Sequence, residues 1–94
     1  MTKDKIRQVI GIYRRYFESR GIPAIAMLHD EPPRTREEAL QHCHSMLDKM
    51  EEFVNKGRMD KAFRWLGFVQ ACLWVHTVHT LDELMDHNRP REGD

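Results

Sequence analysis

The run from Ala62 to Val78, AFRWLGFVQACLWVHTV, is apolar nearly all the way round a helix. Phe63, Leu66, Val69 and Leu73 point one way, while Trp65, Phe68, Cys72 and Val75 point others. Only Arg64, Gln70, His76 and Thr77 interrupt it. A helix that is apolar on every side has to be buried on every side. In a chain of 94 residues, the other helices are too few and too short to surround it, so a second subunit is the natural covering. The expectation is a homo-oligomer built on this helix, with Trp65, Phe68 and Trp74 as the anchors of its interface or core. Gly67 allows close approach of a neighbour, at some cost in helix propensity.

The rest of the chain reads as helices divided by glycine and proline. Ile6, Val9, Ile10, Tyr13, Tyr16 and Phe17 recur at helical steps, which predicts a helix over 3–20 that Gly21 and Pro23 end. Thr35 with Glu38 forms a capping box, opening a helix over 36–56 whose stripe is Leu40, Cys43, Leu47, Met50 and Val54. Gly57 stops it, and the apolar helix follows over 59–79. A second capping box, Thr80 with Glu83, opens a short helix over 81–87, with Leu81, Leu84 and Met85 facing inward, and a frayed tail at 89–94. No run alternates at period two, so no strand is expected. The fold class is therefore all-α, in one domain over 1–94. Helices two and three form an antiparallel hairpin in which Cys43 faces Cys72 and Phe53 faces Ala62.

Fifteen basic residues balance fifteen acidic ones, which argues against non-specific nucleic-acid binding by bulk charge. Apolar residues make up 40% and charged residues 32%, a globular composition. No stretch is long enough to span a bilayer and no signal peptide is visible, so the expected place is the cytoplasm and no membrane partner is expected.

Three constellations could carry chemistry. Cys72, His76 and His79 are spaced to share one face of a continuous helix, with His42, Cys43 and His44 near the opposite level of the hairpin. Sulfur and imidazole together suit zinc. The plainer reading is two buried thiols and scattered histidines, with no metal, and a Cys43–Cys72 disulfide is a further alternative. Asp48, Glu51 and Glu52, with Glu83 and Asp86, supply carboxylates three apart that could hold Mg²⁺ against a polyphosphate. The first helix has six basic residues against two acidic ones. Tyr13 beside Arg14, and Trp65 beside Arg64, are aromatic–guanidinium pairs able to stack a base and hold a phosphate. No nucleophile constellation stands out, which favours a binder over an enzyme.

The run Lys61-Ala62-Phe63-Arg64-Trp65-Leu66-Gly67-Phe68-Val69-Gln70, followed by Leu73-Trp74, Thr80, Glu83-Leu84 and His87-Asn88-Arg89-Pro90, resembles a family of small helical proteins found in phages and bacterial genomes. In plan alone, the chain is similar to the phage sponges that sequester cyclic-nucleotide immune signals, the anti-CBASS and anti-Thoeris proteins. That resemblance implies an oligomer that binds a nucleotide between subunits without cleaving it, here through Tyr13, Arg14, Arg64 and Trp65. Two alternatives stand beside it. One is an interaction module that inhibits a host protein. The other is a Mg²⁺-dependent hydrolase, since the carboxylate spacing resembles that of the all-α nucleotide pyrophosphohydrolases (the MazG and dUTPase-like group).

Overall fold

Thr2, Thr35 and Thr80 each hold an extended conformation just before a helical run. Each offers its hydroxyl oxygen to the backbone N–H three residues on: Lys5 at 3.0 Å, Glu38 at 3.1 Å and Glu83 at 3.1 Å. These caps satisfy donors that the first turn leaves unpaired. The computed structural model describes residues 1–90. It contains α1 (Lys3–Ser19), α2 (Arg36–Asn55), α3 (Met59–Val75) and α4 (Leu81–Asn88), with no strand among the described residues. The protein is all-α, as its periodicity requires. From residue 91 the expected tail lies outside the described residues. The capping box at α4 is complete, because the Glu83 carboxylate also accepts the Thr80 N–H at 2.8 Å. At α2 it is not reciprocal: Glu38 accepts the N–H of Arg34 at 2.7 Å instead.

Three helices stop the same way. After α1, Ile22 N–H reaches Phe17 O at 2.9 Å and Gly21 N–H reaches Glu18 O at 3.1 Å. After α2, Arg58 N–H reaches Phe53 O at 2.7 Å and Gly57 N–H reaches Val54 O at 3.0 Å. After α3, Val78 N–H reaches Leu73 O at 2.8 Å and Thr77 N–H reaches Trp74 O at 3.0 Å. Each is a Schellman turn, whose pivot takes a left-handed conformation. Gly21 and Gly57 pivot at φ 67° and 75°, and Thr77 pivots at 61°. The helix expected to run to 79 therefore ends at Val75. A β-branched residue in this conformation is strained by about 1 kcal/mol. Thr77→Gly should raise the unfolding free energy by about that amount, read from the midpoint of a urea titration. A lowered midpoint would show that the Thr77 hydroxyl, 2.6 Å from His76 O, contributes more than the strain costs.

One apolar core draws on all four helices. α1 contributes Ile6, Val9, Ile10, Tyr13 and Phe17, each with no solvent exposure. α2 is the common neighbour, packing most extensively against α3 and next against α1, while α4 lies on α1. α2 accordingly buries a broad face that includes Leu40, Cys43, Leu47, Met50 and Val54. α3 buries only the stripe Ala62, Leu66, Val69 and Leu73. Met59, Trp65 and Cys72 pack partly against that core, while Phe63, Phe68, Trp74 and Val75 stay exposed.

Candidate functional site: an apolar face and the cleft beside it

The uncovered side of α3 carries Phe68 at 57% exposure, Trp74 at 50% and Val75 at 64%. α4 extends this surface. Of its three apolar residues expected to face inward, only Leu84 is buried, while Leu81 and Met85 are 56% and 57% exposed. Leu81, Leu84 and Met85 span too wide an arc for a helix that touches the core along one edge. A shallow apolar depression joins the two helices, lined by Ala71 and Trp74 from α3 and by Leu81, Leu84 and Met85 from α4. Arg64 on α3 and Asp82 in the first turn of α4 are both exposed, and Phe68 also forms a wall of the cleft beside the connector. Trp65, expected to anchor the same interface, is placed otherwise. It is half-buried within its own chain, edge-on to Phe53 of α2 with ring centroids 5.1 Å apart.

The four residues expected to grip a nucleotide have different partners and do not form one pocket. Tyr13 has no solvent exposure. Its hydroxyl accepts from Gln70 Nε2 at 2.9 Å and lies 3.0 Å from His87 Nδ1. The Gln70 amide donates there, which leaves the hydroxyl its own proton to give, and His87 Nδ1 is the acceptor for it in the Nε2-protonated tautomer. Gln70 and Asn88 also exchange two amide hydrogen bonds, at 2.8 and 3.1 Å. Burial pushes the Tyr13 phenol up to about 12, against a smaller opposing effect of the Gln70 bond. Tyr13 is thus a structural lock among α1, α3 and α4 rather than a surface reader of ligands. Arg14 meets Asp48 at 2.9 Å and Glu51 at 3.2 Å on α2, so its charge is answered within the chain. Arg64 is exposed.

The same ion pairs take up the carboxylates that could have faced Mg²⁺. Asp48 and Glu51 hold Arg14, Glu52 lies near Lys49 and Lys56, and Asp86 near Arg89. Glu83 is used in its capping box, where the Thr80 N–H above all holds its carboxyl below the ordinary value.

The zinc candidates separate as well. Because α3 ends at Val75, His79 is carried away from the thiols and packs among aromatic rings. It lies 6.0 Å from both Tyr13 and Tyr16 and 4.7 Å from His87, centroid to centroid. Both its ring nitrogens are buried without a hydrogen bond, the nearer carboxylate being Glu83 at 3.7 Å from Nδ1. Cys43 and Cys72 are neighbours, close enough for each thiol to shift the titration of the other. Phe53, placed opposite Ala62 by the same register, stacks edge-on with Trp65 and lies under the Lys61 ammonium. Among the described residues, no three His, Cys, Asp or Glu side chains converge as a metal site.

His42 and His44, the other imidazoles of that set, tie the connector between α1 and α2 in place. The His42 Nδ1 accepts the Met27 N–H at 3.0 Å, and His44 Nδ1 donates to Ile22 O at 2.7 Å. The backbone partners thereby fix opposite tautomers on the two rings. His44 also stacks on Phe17 at 5.0 Å. Between this strapped connector and α3 lies a cleft of about 410 Å³, whose walls include Met27, His29, His42, Phe68, Cys72 and His76. Burial, aided by His29, lowers the His42 pKa. A histidine whose folded value is depressed stabilises the fold above its unfolded pKa of about 6.5, and that stability is lost as pH falls through the lower folded value. Protonation also removes the lone pair that holds Met27. The Met27 amide should therefore lose hydrogen-exchange protection on acidification through that window while the α2 amides keep theirs. Equal loss at both would place the transition in the whole fold instead.

The comparisons with known proteins add no relative: the chain matches no protein-family model, no curated protein and no solved structure. Among the described residues no helix is long and apolar enough to cross a membrane.

The features that sequence reasoning missed are the Gln70–Asn88–His87 lock and the part of the apolar face formed by Leu81 and Met85. Gln70 was the one visible signal, as a polar interruption of an otherwise apolar helix.

Proposed function

We propose that this protein is a non-enzymatic interaction module that works as a homo-oligomer, pairing through the face made by α3 and α4. The reading rests on one observation: Phe68, Trp74 and Val75 of α3 and Leu81 and Met85 of α4 are all half or more exposed, with Trp74, Leu81 and Met85 lining one depression. Surfaces of that kind are covered in working proteins. The covering we assign is a second copy of the chain. α2, the turn at 56–58 and α3 form an antiparallel hairpin in this reading, and α3 of one copy lies antiparallel to α3 of the other across a two-fold axis near Ala71. Small side chains at Gly67 and Ala71 let the helices approach there. The Arg64 end of one copy then meets the Asp82 end of the other, so the rim charges are self-complementary, as a two-fold contact requires. The burial of Tyr13 and the pairing of Arg14 with two carboxylates give no support to a nucleotide pocket built on them. Sedimentation velocity over a range of concentrations tests the reading. A species of twice the chain mass, or a higher multiple, is the expected result. A single-chain mass at the highest concentration would overturn self-association and move the face to a host protein.

A further inference from the structure

Cys43 and Cys72 are the chain's two cysteines, and nothing in the proposed pairing of subunits uses them. Neither is in a disulfide. The first is buried in the core and the second is half-buried. The thiols are neighbours across the α2–α3 contact, and of the two only Cys72 lines the cleft beneath the connector. That arrangement is asymmetric: one sulfur faces arriving solutes, and the other stands directly behind it in the core. We propose that the pair is a peroxide-reactive site, in which Cys72 is oxidised first from the cleft and Cys43 then closes a disulfide with it.

The balance of the step is simple. The Cys72 thiolate attacks one oxygen of hydrogen peroxide, an S–O bond forms, the O–O bond breaks, and the departing hydroxide takes the proton released by the thiol to become water. Cys72 is then a sulfenic acid. The Cys43 sulfur attacks the Cys72 sulfur, an S–S bond forms, the S–O bond breaks, and the second hydroxide takes the Cys43 proton. Two thiols lose two electrons, and the peroxide is reduced to two waters.

Three features favour this order. The cleft leaves Cys72 accessible while the core withholds Cys43. The adjacent Cys43 thiol also favours the Cys72 thiolate, drawing its pKa below the ordinary value, whereas the Cys72 neighbour and burial push Cys43 up. Thiolate character and access are what select a cysteine for oxidation. Finally, the resolving Cys43 is a neighbour of Cys72 on the facing helix, so closure needs no large movement of the chain.

The test uses the reduced, full-length protein and hydrogen peroxide as the probe. After brief exposure, dimedone should label Cys72 and leave Cys43 unlabelled. After longer exposure and denaturation, iodoacetamide should find no thiol, the intact chain should be lighter by two hydrogens, and peptide mapping should return a 43–72 cross-link within one chain. Cys43→Ser should hold the reaction at the dimedone-reactive stage. The proposal is overturned by dimedone on Cys43 first, by Cys72 proceeding to sulfinic acid while Cys43 stays alkylatable, by a disulfide between chains, or by two thiols that survive the treatment. All four outcomes are read on the native sequence, so the result does not depend on whether the variant folds.

Discussion

Phe68→Asp should convert the proposed pair to single chains while leaving the helical content and unfolding midpoint close to those of the parent. Phe68 is 57% exposed, so the substitution removes little from the core. Within a paired face, however, it buries a carboxylate against Trp74 and Val75 of the other copy. Desolvating an unpaired charge costs several kcal/mol, which is enough to abolish a pairing of ordinary affinity, because each 1.4 kcal/mol is about tenfold in Kd. The measurement is sedimentation velocity beside circular dichroism. An unchanged oligomer would place the contact elsewhere, while loss of helicity would mean that Phe68 serves the fold. Trp65→Ala is the informative contrast. That ring already packs on Phe53 within its own chain, so its removal should lower stability more than it changes mass.

The second large effect is at Tyr13. Tyr13→Ala empties a fully buried site where α1, α3 and α4 meet, and should cost about 4 kcal/mol. A domain of this size has about 5–14 kcal/mol to lose. The variant should therefore lose a large share of its stability and unfold at a markedly lower denaturant midpoint. Tyr13→Phe keeps the ring and removes only the hydroxyl between Gln70 and His87, for about 1–2 kcal/mol. Denaturant titrations of the two variants separate ring from hydroxyl, and equal losses would locate the whole effect in the hydrogen bonds. The same group gives an alkaline signature. The folded phenol titrates near 12 against 10 for its ordinary value, so its contribution is intact below about pH 10 and is lost as pH rises through about 12.

Much of the fold was legible because its signals are local. Threonine caps, glycine pivots and the spacing of Ile6 to Phe17 and of Leu40 to Val54 lie within a few residues of what they determine. The end of α3 was not, because the pivot there is Thr77 and not the glycine that marks the other two turns. Without that stop, the periodicity ran on and set His79 on the wrong face beside Cys72. The role of Tyr13 was hidden for a different reason. Whether a tyrosine beside an arginine reads a ligand or fills a core depends on Gln70 and His87, which lie 57 and 74 residues away. The uncovered face was legible as a surplus, since α3 carries more apolar surface than its neighbours can bury. Which of its aromatics remain outside was settled by the α2–α3 contact, which takes in Trp65 and leaves Phe68 and Trp74.

The bond between Tyr13 and His87 also has a bearing on biosynthesis. α2 and α3 can close on each other as soon as α3 has left the ribosome, since closing the short loop between them costs little entropy. α1 is made first but completed last. Its buried hydroxyl has no final partner until α4 emerges, 74 residues later. Until α4 emerges, the nascent chain holds an amphipathic α1 whose seat is unfinished. A ribosome stalled before Leu84 would therefore display a partly folded chain open to chaperones and proteases, and release of α4 would act as the commitment step of folding.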